Sequence, residues 1–245
     1  MSWPSACKKV GDYIVKIDTP DGSGTGFFFA YNENRTLVAV ATALHVISEA
    51  HDWRRPIKIR RVRANQEIFL PFADRVVLID YMRDSAAILF DAKALDAPKV
   101  MLTLAPRDKY RAPGSRLSWG GYPGIAGDTL CFFQGSVSAF NQHNDSYYID
   151  GVAINGVSGG PVFDEEFKEN PTVIIGIVAA YFVNRQRGET LPGFSVAHDV
   201  THLHDTIASL KDVDEGKKKE QKTREEQTKE AVTPDERAPE GGASG

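Results

Sequence analysis

Short apolar runs separated by turn residues recur along the first 210 residues of the chain. Val, Ile, Phe and Tyr are concentrated in these runs, which is typical of β-strands. The predicted strands are Tyr13–Asp18, Gly26–Asn32, Leu37–Ala41, Ile57–Arg63, Arg75–Asp80, Ala86–Asp91, Arg116–Gly121, Thr129–Ala139, Tyr147–Asp150, Pro161–Asp164, Val173–Phe182 and Gly193–Ala197. No regular helical segments separate them, which argues against a parallel α/β sheet.

The strands fall into two clusters on either side of a Pro- and Gly-rich break at 105–115. This pattern predicts an all-β fold of two packed antiparallel β-barrels, one over about 10–105 and the other over about 115–198. The last element, at 200–210, is predicted to be a helix, because Val200, Leu203, Ile207 and Leu210 have helical spacing. Asp199 is its expected N-cap.

Residues 211–245 differ in composition from the rest of the chain. The segment is rich in Lys, Arg, Asp and Glu, contains no Phe, Trp, Tyr, Ile or Leu, and ends in TPDERAPEGGASG. Such a segment buries too little apolar surface to offset the entropy of ordering it. The sequence therefore predicts one folded unit over 1–210, followed by a charged, disordered tail.

Composition narrows the class of protein without indicating its chemistry. Hydrophobic residues make up 42% of the chain and charged residues 25%, as in ordinary globular proteins. The longest apolar stretch, at 173–183, is about half of what a bilayer span needs. The start MSWPSACKKVGDY lacks the apolar run of a signal peptide, and two cysteines make no disulfide framework. We therefore expect a soluble, cytoplasmic protein with no membrane association. The net charge of −4 makes nucleic acid an unlikely partner.

Three segments contain residues suited to nucleophilic catalysis. His45 ends the run VATALH, Asp84 precedes the strand-like run SAAILF, and Ser158 lies in NGVSGGPVFD. A serine hydroxyl becomes a good nucleophile when an imidazole takes its proton and a carboxylate orients that imidazole. The glycines beside Ser158 leave backbone N–H groups accessible to an oxyanion.

The order His, Asp, Ser and the segments around these residues resemble the chymotrypsin-fold (trypsin-like) serine proteases. Beyond the three segments above, GSGTGFFF resembles the stretch before the family's histidine, and GYPG the opening of the second barrel in bacterial members. IIGIVAAY resembles the strand that lines the substrate groove, and GFSVAHDV the closing strand of the high-temperature-requirement (HtrA-like) branch, here without its PDZ domain. The resemblance covers roughly 20–210. It implies a serine endopeptidase that hydrolyses protein or peptide substrates through an acyl-enzyme and needs no metal or cofactor.

The resemblance also implies roles for individual residues. Ser158 would be the nucleophile, His45 the general base and Asp84 the orienting carboxylate, with the N–H groups of Gly156 and Ser158 forming the oxyanion hole. The implied substrate-binding residues are Val152, Ala153, Asn155, Val178, Ala179, Ala180, Tyr181 and Gly193. Val152 stands where a carboxylate would select Lys or Arg, so we expect a preference for small or medium aliphatic side chains. The apolar Ala179 stands where a serine often hydrogen-bonds the catalytic aspartate, which predicts fewer partners for Asp84.

The sequence leaves other functions open. An oxyanion loop that stays collapsed until a regulatory protein partner binds would have the same sequence, so the enzyme could be latent. A catalytically silent binding or scaffold protein with a protease fold is one alternative, and an esterase using the same three residues is another.

Three further segments carry weaker signals. His198, His202 and His204 have a spacing that can bind zinc, but helix packing is the favoured interpretation. The basic segment WRRPIKIRRVR at 53–63 could contact nucleic acid, although its alternation favours a solvated strand. GSGTG at 22–26 lacks the features of a phosphate-binding loop and is predicted to be a turn.

Overall fold

The computed structural model describes residues 2–107, 109–164, 172–184, 189–210 and 214, and it describes no side chains over 180–184 and 189–192. The helices are α1 (Trp3–Gly11), α2 (Leu44–Asp52) and α3 (201–210), with short 3-10 helices at Val62–Ala64, Phe72–Asp74 and Gly124–Ala126. The strands are β1 (Ile14–Thr19), β2 (Gly22–Tyr31), β3 (Leu37–Ala43), β4 (Ile57–Arg61), β5 (Gln66–Leu70), β6 (Val76–Asp80), β7 (Ser85–Asp91), β8 (Arg116–Gly121), β9 (Cys131–Asn141), β10 (Ser146–Asp150), β11 (Pro161–Asp164), β12 (Val173–Asn184) and β13 (Glu189–Asp199). The prediction of a mostly β fold in two antiparallel sheets is confirmed.

The first of the two predicted barrels is a half-barrel. Its seven strands are ordered β5-β4-β1-β2-β3-β7-β6, so β5 and β6 form its two ends. The buried guanidinium of Arg75, between these strands in the chain, donates hydrogen bonds to the carbonyls of Leu70, Ala50 and Arg55. A side chain, rather than a neighbouring strand, therefore satisfies backbone carbonyls on this side of the sheet.

The second sheet closes into a barrel in the order β10-β13-β12-β11-β8-β9. Its interior is filled by large side chains such as Trp119 and Tyr147, both essentially inaccessible to solvent. A core shared with the first sheet extends from here, because Phe27 and Phe29 of β2 pack into the same hydrophobic cluster. Phe28, on the opposite face of β2, packs in the separate core beneath α2.

The segment GSGTG belongs to a strand, and the prediction of a turn there was wrong. The hairpin turn falls earlier, where Thr19 of β1 pairs with Gly22 of β2. Gly24 and Gly26 are needed for close packing: a Cβ on Gly24 would lie 2.6 Å from the methyl groups of Val46, and one on Gly26 would lie 2.8 Å from the side chain of Ile17. The two glycines thus allow neighbouring side chains to pack directly against the backbone of β2.

Segments near the two ends of the described chain each contact the sheet to which they do not belong. The indole of Trp3 in α1 donates a hydrogen bond of 3.1 Å to Ser118 in β8 of the second sheet. Asp214, which follows α3, accepts hydrogen bonds from Asn32 Nδ2 (2.6 Å) and Glu33 N (3.1 Å) in the first sheet. These contacts tie the two sheets together.

Helix α3 begins as the sequence predicted, with the carboxylate of Asp199 accepting a hydrogen bond from Thr201 N at 2.7 Å. The prediction of a disordered tail at 211–245 falls outside the described residues, apart from Asp214. Among the residues that the structure describes, no helix combines the length and the apolar character that crossing a bilayer requires.

Candidate active site

His45 and Asp84 are brought together from two neighbouring strands. His45 lies in the first turn of α2, directly after β3, and Asp84 immediately precedes β7, which pairs with β3. The distance between His45 Nδ1 and Asp84 Oδ2 is 2.6 Å, and His45 N donates to Asp84 Oδ1 at 2.9 Å. Because a carboxylate only accepts hydrogen bonds, Nδ1 of the neutral ring carries the proton and Nε2 is left as a proton acceptor.

The loop that carries Ser158 packs against the first sheet. Gly159 has a φ of +86°, and a Cβ there would lie 2.0 Å from Thr25 O and 2.8 Å from Ala43 N. Ala43 is the residue before α2, so the loop lies close to the start of the helix that holds His45. On the other side, Ser158 O lies 3.2 Å from the position that a Cβ of Gly24 would occupy. Only glycine fits at these two close approaches.

Thr25 of β2 is the main polar contact between this loop and the first sheet. Its fully buried hydroxyl donates a hydrogen bond to Gly156 O (2.6 Å) and accepts one from Tyr122 N (2.9 Å). Its backbone N–H donates to Ser158 O (2.9 Å), and its carbonyl accepts from the hydroxyl of Thr42 (2.7 Å). Sequence reasoning missed Thr25 because the residues around it resemble a turn.

The structure brings two of the predicted substrate-binding segments together, the one after Gly151 and the one at Gly193. Gly151 N donates to Gly193 O at 2.8 Å, which places the segment containing Val152, Ala153 and Asn155 beside Gly193. The side chain of Val152 is exposed, and its carbonyl accepts a hydrogen bond from the indole of Trp119.

Val178 lies against the Ser158 loop, because its carbonyl accepts a hydrogen bond from Gly159 N at 2.7 Å. Both Val178 and Ala179 are buried, unlike Val152. The side chains of Ala180 and Tyr181 lie outside the described residues.

The residues on either side of Asp84 contact the second sheet, which sequence reasoning did not foresee. Arg83 forms ion pairs with Asp80 (3.0 Å) and with Asp145 (2.5 Å). Ser85 Oγ lies 2.7 Å from Nε2 of His202 in α3, and both residues are buried. Such contacts join residues far apart in the sequence, so no local pattern indicates them.

Two buried histidines lie in the same region. Burial lowers the pKa of His202 to about 4, and it lowers the pKa of His198 too, against the opposing effect of the Asp84 charge. Ala179 is apolar and offers Asp84 no side-chain hydrogen bond, as the sequence predicted. The residues next to Asp84 in the chain, Arg83 and Ser85, make the polar contacts described above.

Five of the six cationic side chains in the basic segment at 53–63 form ion pairs with acidic side chains. Arg60 pairs with Asp18 and Asp128, and the remaining pairs are Arg55–Asp21, Lys58–Glu67, Arg61–Asp96 and Arg63–Asp12. Ile57 and Ile59 are buried, and Lys58 and Arg60 face the other side of β4. The segment is therefore better interpreted as a solvated strand than as a nucleic-acid patch.

Two of the three histidines near α3, His202 and His204, form hydrogen bonds through their ring nitrogens. Both ring nitrogens of His202 are in hydrogen bonds, to Ser85 Oγ and Asp199 O, and His204 Nε2 bonds Ala105 O. The described part of the chain contains no group of three or more His, Cys, Asp or Glu side chains that could hold a metal ion.

Comparison with known proteins identifies the family. The sequence matches the trypsin-like peptidase domain over residues 24–177, more than half of the chain, and the chain therefore belongs to the trypsin-like peptidases. The resemblance stated from the sequence motifs is confirmed. The sequence has no significant match among curated proteins.

Two solved structures share the fold at low sequence identity. One is an inactive form of Rv3671c from M. tuberculosis H37Rv with a serine-to-alanine substitution, at a TM-score of 0.59 and 17% identity, covering 84% of this chain and 89% of that chain. The other is the serine endoprotease from Yersinia pestis, at a TM-score of 0.63 and 18% identity, covering 86% and 67% respectively. Both support the chymotrypsin-type fold.

Removing the Thr25 hydroxyl should destabilise the protein. In Thr25→Val, Gly156 O and Tyr122 N lose a buried partner, so we expect the free energy of unfolding in urea to fall by about 1–3 kcal/mol. Thr25→Ser keeps the hydroxyl and is the matched control, with a smaller loss expected. Equal losses in the two variants would contradict the assigned role of the hydroxyl.

The neutral state of His202 should make stability depend on pH. The pKa of His202 is about 4 in the folded state and about 6.5 in the unfolded state. As the pH falls, the unfolded state is therefore protonated at a higher pH than the folded state. Stability should thus be full above about pH 6.5 and fall by up to about 3 kcal/mol towards pH 4. Equilibrium unfolding of His202→Gln over this range should show a weaker pH dependence. His143→Gln, at an exposed position, is the control, and an unchanged dependence in His202→Gln would refute the assignment.

Proposed function

We propose that this chain is a serine endopeptidase that cleaves protein or peptide substrates in the cytoplasm through an acyl-enzyme, with His45, Asp84 and Ser158 as its catalytic residues. The observation that carries the proposal is the 2.6 Å hydrogen bond between His45 and Asp84, next to a glycine-rich loop that packs against the start of α2. Membership of the trypsin-like peptidases supports it independently.

The proposed reaction follows from the proton positions. Ser158 Oγ attacks the scissile carbonyl and its proton passes to His45 Nε2, while the carboxylate of Asp84 stabilises the resulting imidazolium. The tetrahedral intermediate collapses as His45 returns the proton to the leaving amine, which leaves the acyl group on Ser158. Water then attacks the ester with His45 again as base, and the acid product and the free serine are released.

The backbone of the loop supports an oxyanion hole at Gly156 and Ser158. In a trans peptide, the C=O and the following N–H point in opposite directions. The carbonyl preceding Gly156, that of Asn155, accepts a hydrogen bond from Gly124 N, and the carbonyl preceding Ser158, that of Val157, accepts one from Gly160 N, each at 2.9 Å. Both N–H groups therefore point away from these internal contacts and remain available to an anion.

This backbone arrangement bears on the question of latency. Each of the two peptide planes is held by a hydrogen bond within the protein, and the carbonyl of Gly156 is held by Thr25. The arrangement favours a hole that forms before substrate or partner binds. We accordingly favour activity of the purified protein over activation by a regulatory partner.

A fluorophosphonate probe tests the proposed catalytic residues. We expect the wild type to be labelled and to cleave casein, and Ser158→Ala and His45→Ala to lose labelling and at least roughly 10³-fold in kcat/KM. Ser138→Ala and His143→Ala, at exposed positions, are the controls and should behave as wild type. The rate should rise towards neutral pH, because a general base must be unprotonated to accept the proton of Ser158.

Each other outcome excludes part of the proposal. Labelling that persists in Ser158→Ala rejects this nucleophile, and a flat pH profile with chemistry rate-limiting rejects His45 as base. Labelling with ester turnover alone indicates an esterase. A folded wild type without labelling indicates a latent enzyme or a silent scaffold.

Cleavage specificity tests the proposed pocket. Because Val152 supplies no carboxylate, we expect cleavage of a peptide library after small or medium aliphatic residues. Val152→Asp should increase the proportion of cleavage after Lys and Arg, because a buried cation would then have a partner. A wild-type profile dominated by Lys or Arg would reject this assignment of the pocket.

A further inference from the structure

We propose that Arg83 and Ser85, through Asp145 and His202, are positioning residues that hold Asp84 in place against His45. The inference rests on the proposed function of Asp84 and deepens it. It assigns a role in the site to two polar contacts that cross from the first sheet to the second and that the proposed mechanism does not use.

Packing alone does not fix the turn that carries Asp84. The tip of the turn is in solvent, with Tyr81 77% and Met82 75% exposed. Behind it, a cavity of about 570 Å³ separates β6 and the turn from α3. Asp84 itself has a φ of +45°, a conformation that non-glycine residues seldom adopt and that persists only where neighbouring contacts enforce it.

Asp84 O accepts a hydrogen bond from Leu44 N at 2.9 Å, and the further contacts that hold this conformation lie at the two residues adjacent to Asp84. Arg83 Nη2 lies 2.5 Å from Asp145 Oδ2 in the turn between β9 and β10, and that turn is held in place because Asp199 N donates to Asp145 O at 2.8 Å. Ser85 Oγ lies 2.7 Å from His202 Nε2. One contact is an ion pair at partly exposed side chains, and the other is a hydrogen bond between residues that are 1% and 7% exposed.

The direction of the buried hydrogen bond follows from its partners. His202 Nδ1 lies 2.9 Å from the carbonyl of Asp199, which can only accept, so Nδ1 carries the proton of the neutral ring. His202 Nε2 therefore accepts a hydrogen bond from the hydroxyl of Ser85. A glutamine at position 202 can offer an acceptor near the place of Nε2, whereas a leucine cannot.

These contacts matter because the proposed catalytic residues are divided between the sheets. Ser158 is held by the second sheet, and His45 and Asp84 by the first. The residues before and after Asp84 are anchored to the β9–β10 turn and to α3. These contacts keep the carboxylate of Asp84, the imidazole of His45 and the hydroxyl of Ser158 in fixed relative positions. A displacement of about 1 Å at such a site can cost roughly 100-fold in rate.

The test compares His202→Leu, Ser85→Ala/His202→Leu and Asp145→Asn with His202→Gln as the conservative rescue. We expect the first three to lower kcat by roughly 10- to 100-fold without changing KM, and His202→Gln to stay close to wild type. The acidic midpoint of the pH–rate profile should move to lower pH in the impaired variants, because the imidazolium of His45 loses part of its carboxylate stabilisation. Arg107→Gln, which breaks the Arg107–Asp205 ion pair of α3 but neither of the two contacts under test, is the matched control.

A second readout separates this inference from the proposed function. NMR titration of the His45 ring and the resonance of its Nδ1 proton report the His45–Asp84 contact whether or not the protein hydrolyses peptides. If the wild type is inactive, a changed titration in the variants still supports the positioning role. Folded variants with the kcat, the acidic midpoint and the His45 titration of wild type would overturn it.

Folding is checked by near-ultraviolet circular dichroism. The double variant replaces both buried partners with apolar groups, which avoids leaving one of them unsatisfied. Asp145→Asn changes a partly exposed side chain, so it tests the second contact even where the buried variants do not fold.

Discussion

The contacts of Thr25 determine how the two sheets of this protein meet at the candidate site. One buried residue of β2 uses its N–H, its carbonyl and its hydroxyl to connect β3, the second sheet and the loop of Ser158. None of these groups can reach water, so each must be paired for the fold to be stable. The same requirement that stabilises the fold therefore also determines where the loop of Ser158 lies relative to α2.

Charge organises the outer side of this junction. Arg60 lies between Asp18 of its own sheet and Asp128 of the second, and Lys16 pairs with the same Asp128 at 2.9 Å. A segment that looks like a basic patch in the sequence is thus part of the contact between sheets. Because Arg60 is only 20% exposed, these pairs are less screened than free surface charges.

Local patterns revealed most of the strands and the candidate catalytic residues, because apolar alternation and the surroundings of His45, Asp84 and Ser158 are continuous in sequence. They failed where the deciding contact was distant. The glycines around Thr25 suggested a turn. The structure shows instead that Gly24 lies against Val46 and the Ser158 loop, where a larger residue would not fit. The open form of the first sheet and the contact of Ser85 with His202, 117 residues away, depend on tertiary structure that no short window of sequence contains.

Trp3, in α1, contacts the second sheet, and Asp214, which follows α3, contacts the first sheet at the end of β2. The linker near 105–115 is therefore no free hinge. Movement of one sheet against the other would have to break both contacts, so the distance between His45 and Ser158 is protected from bending of the segment at 105–115.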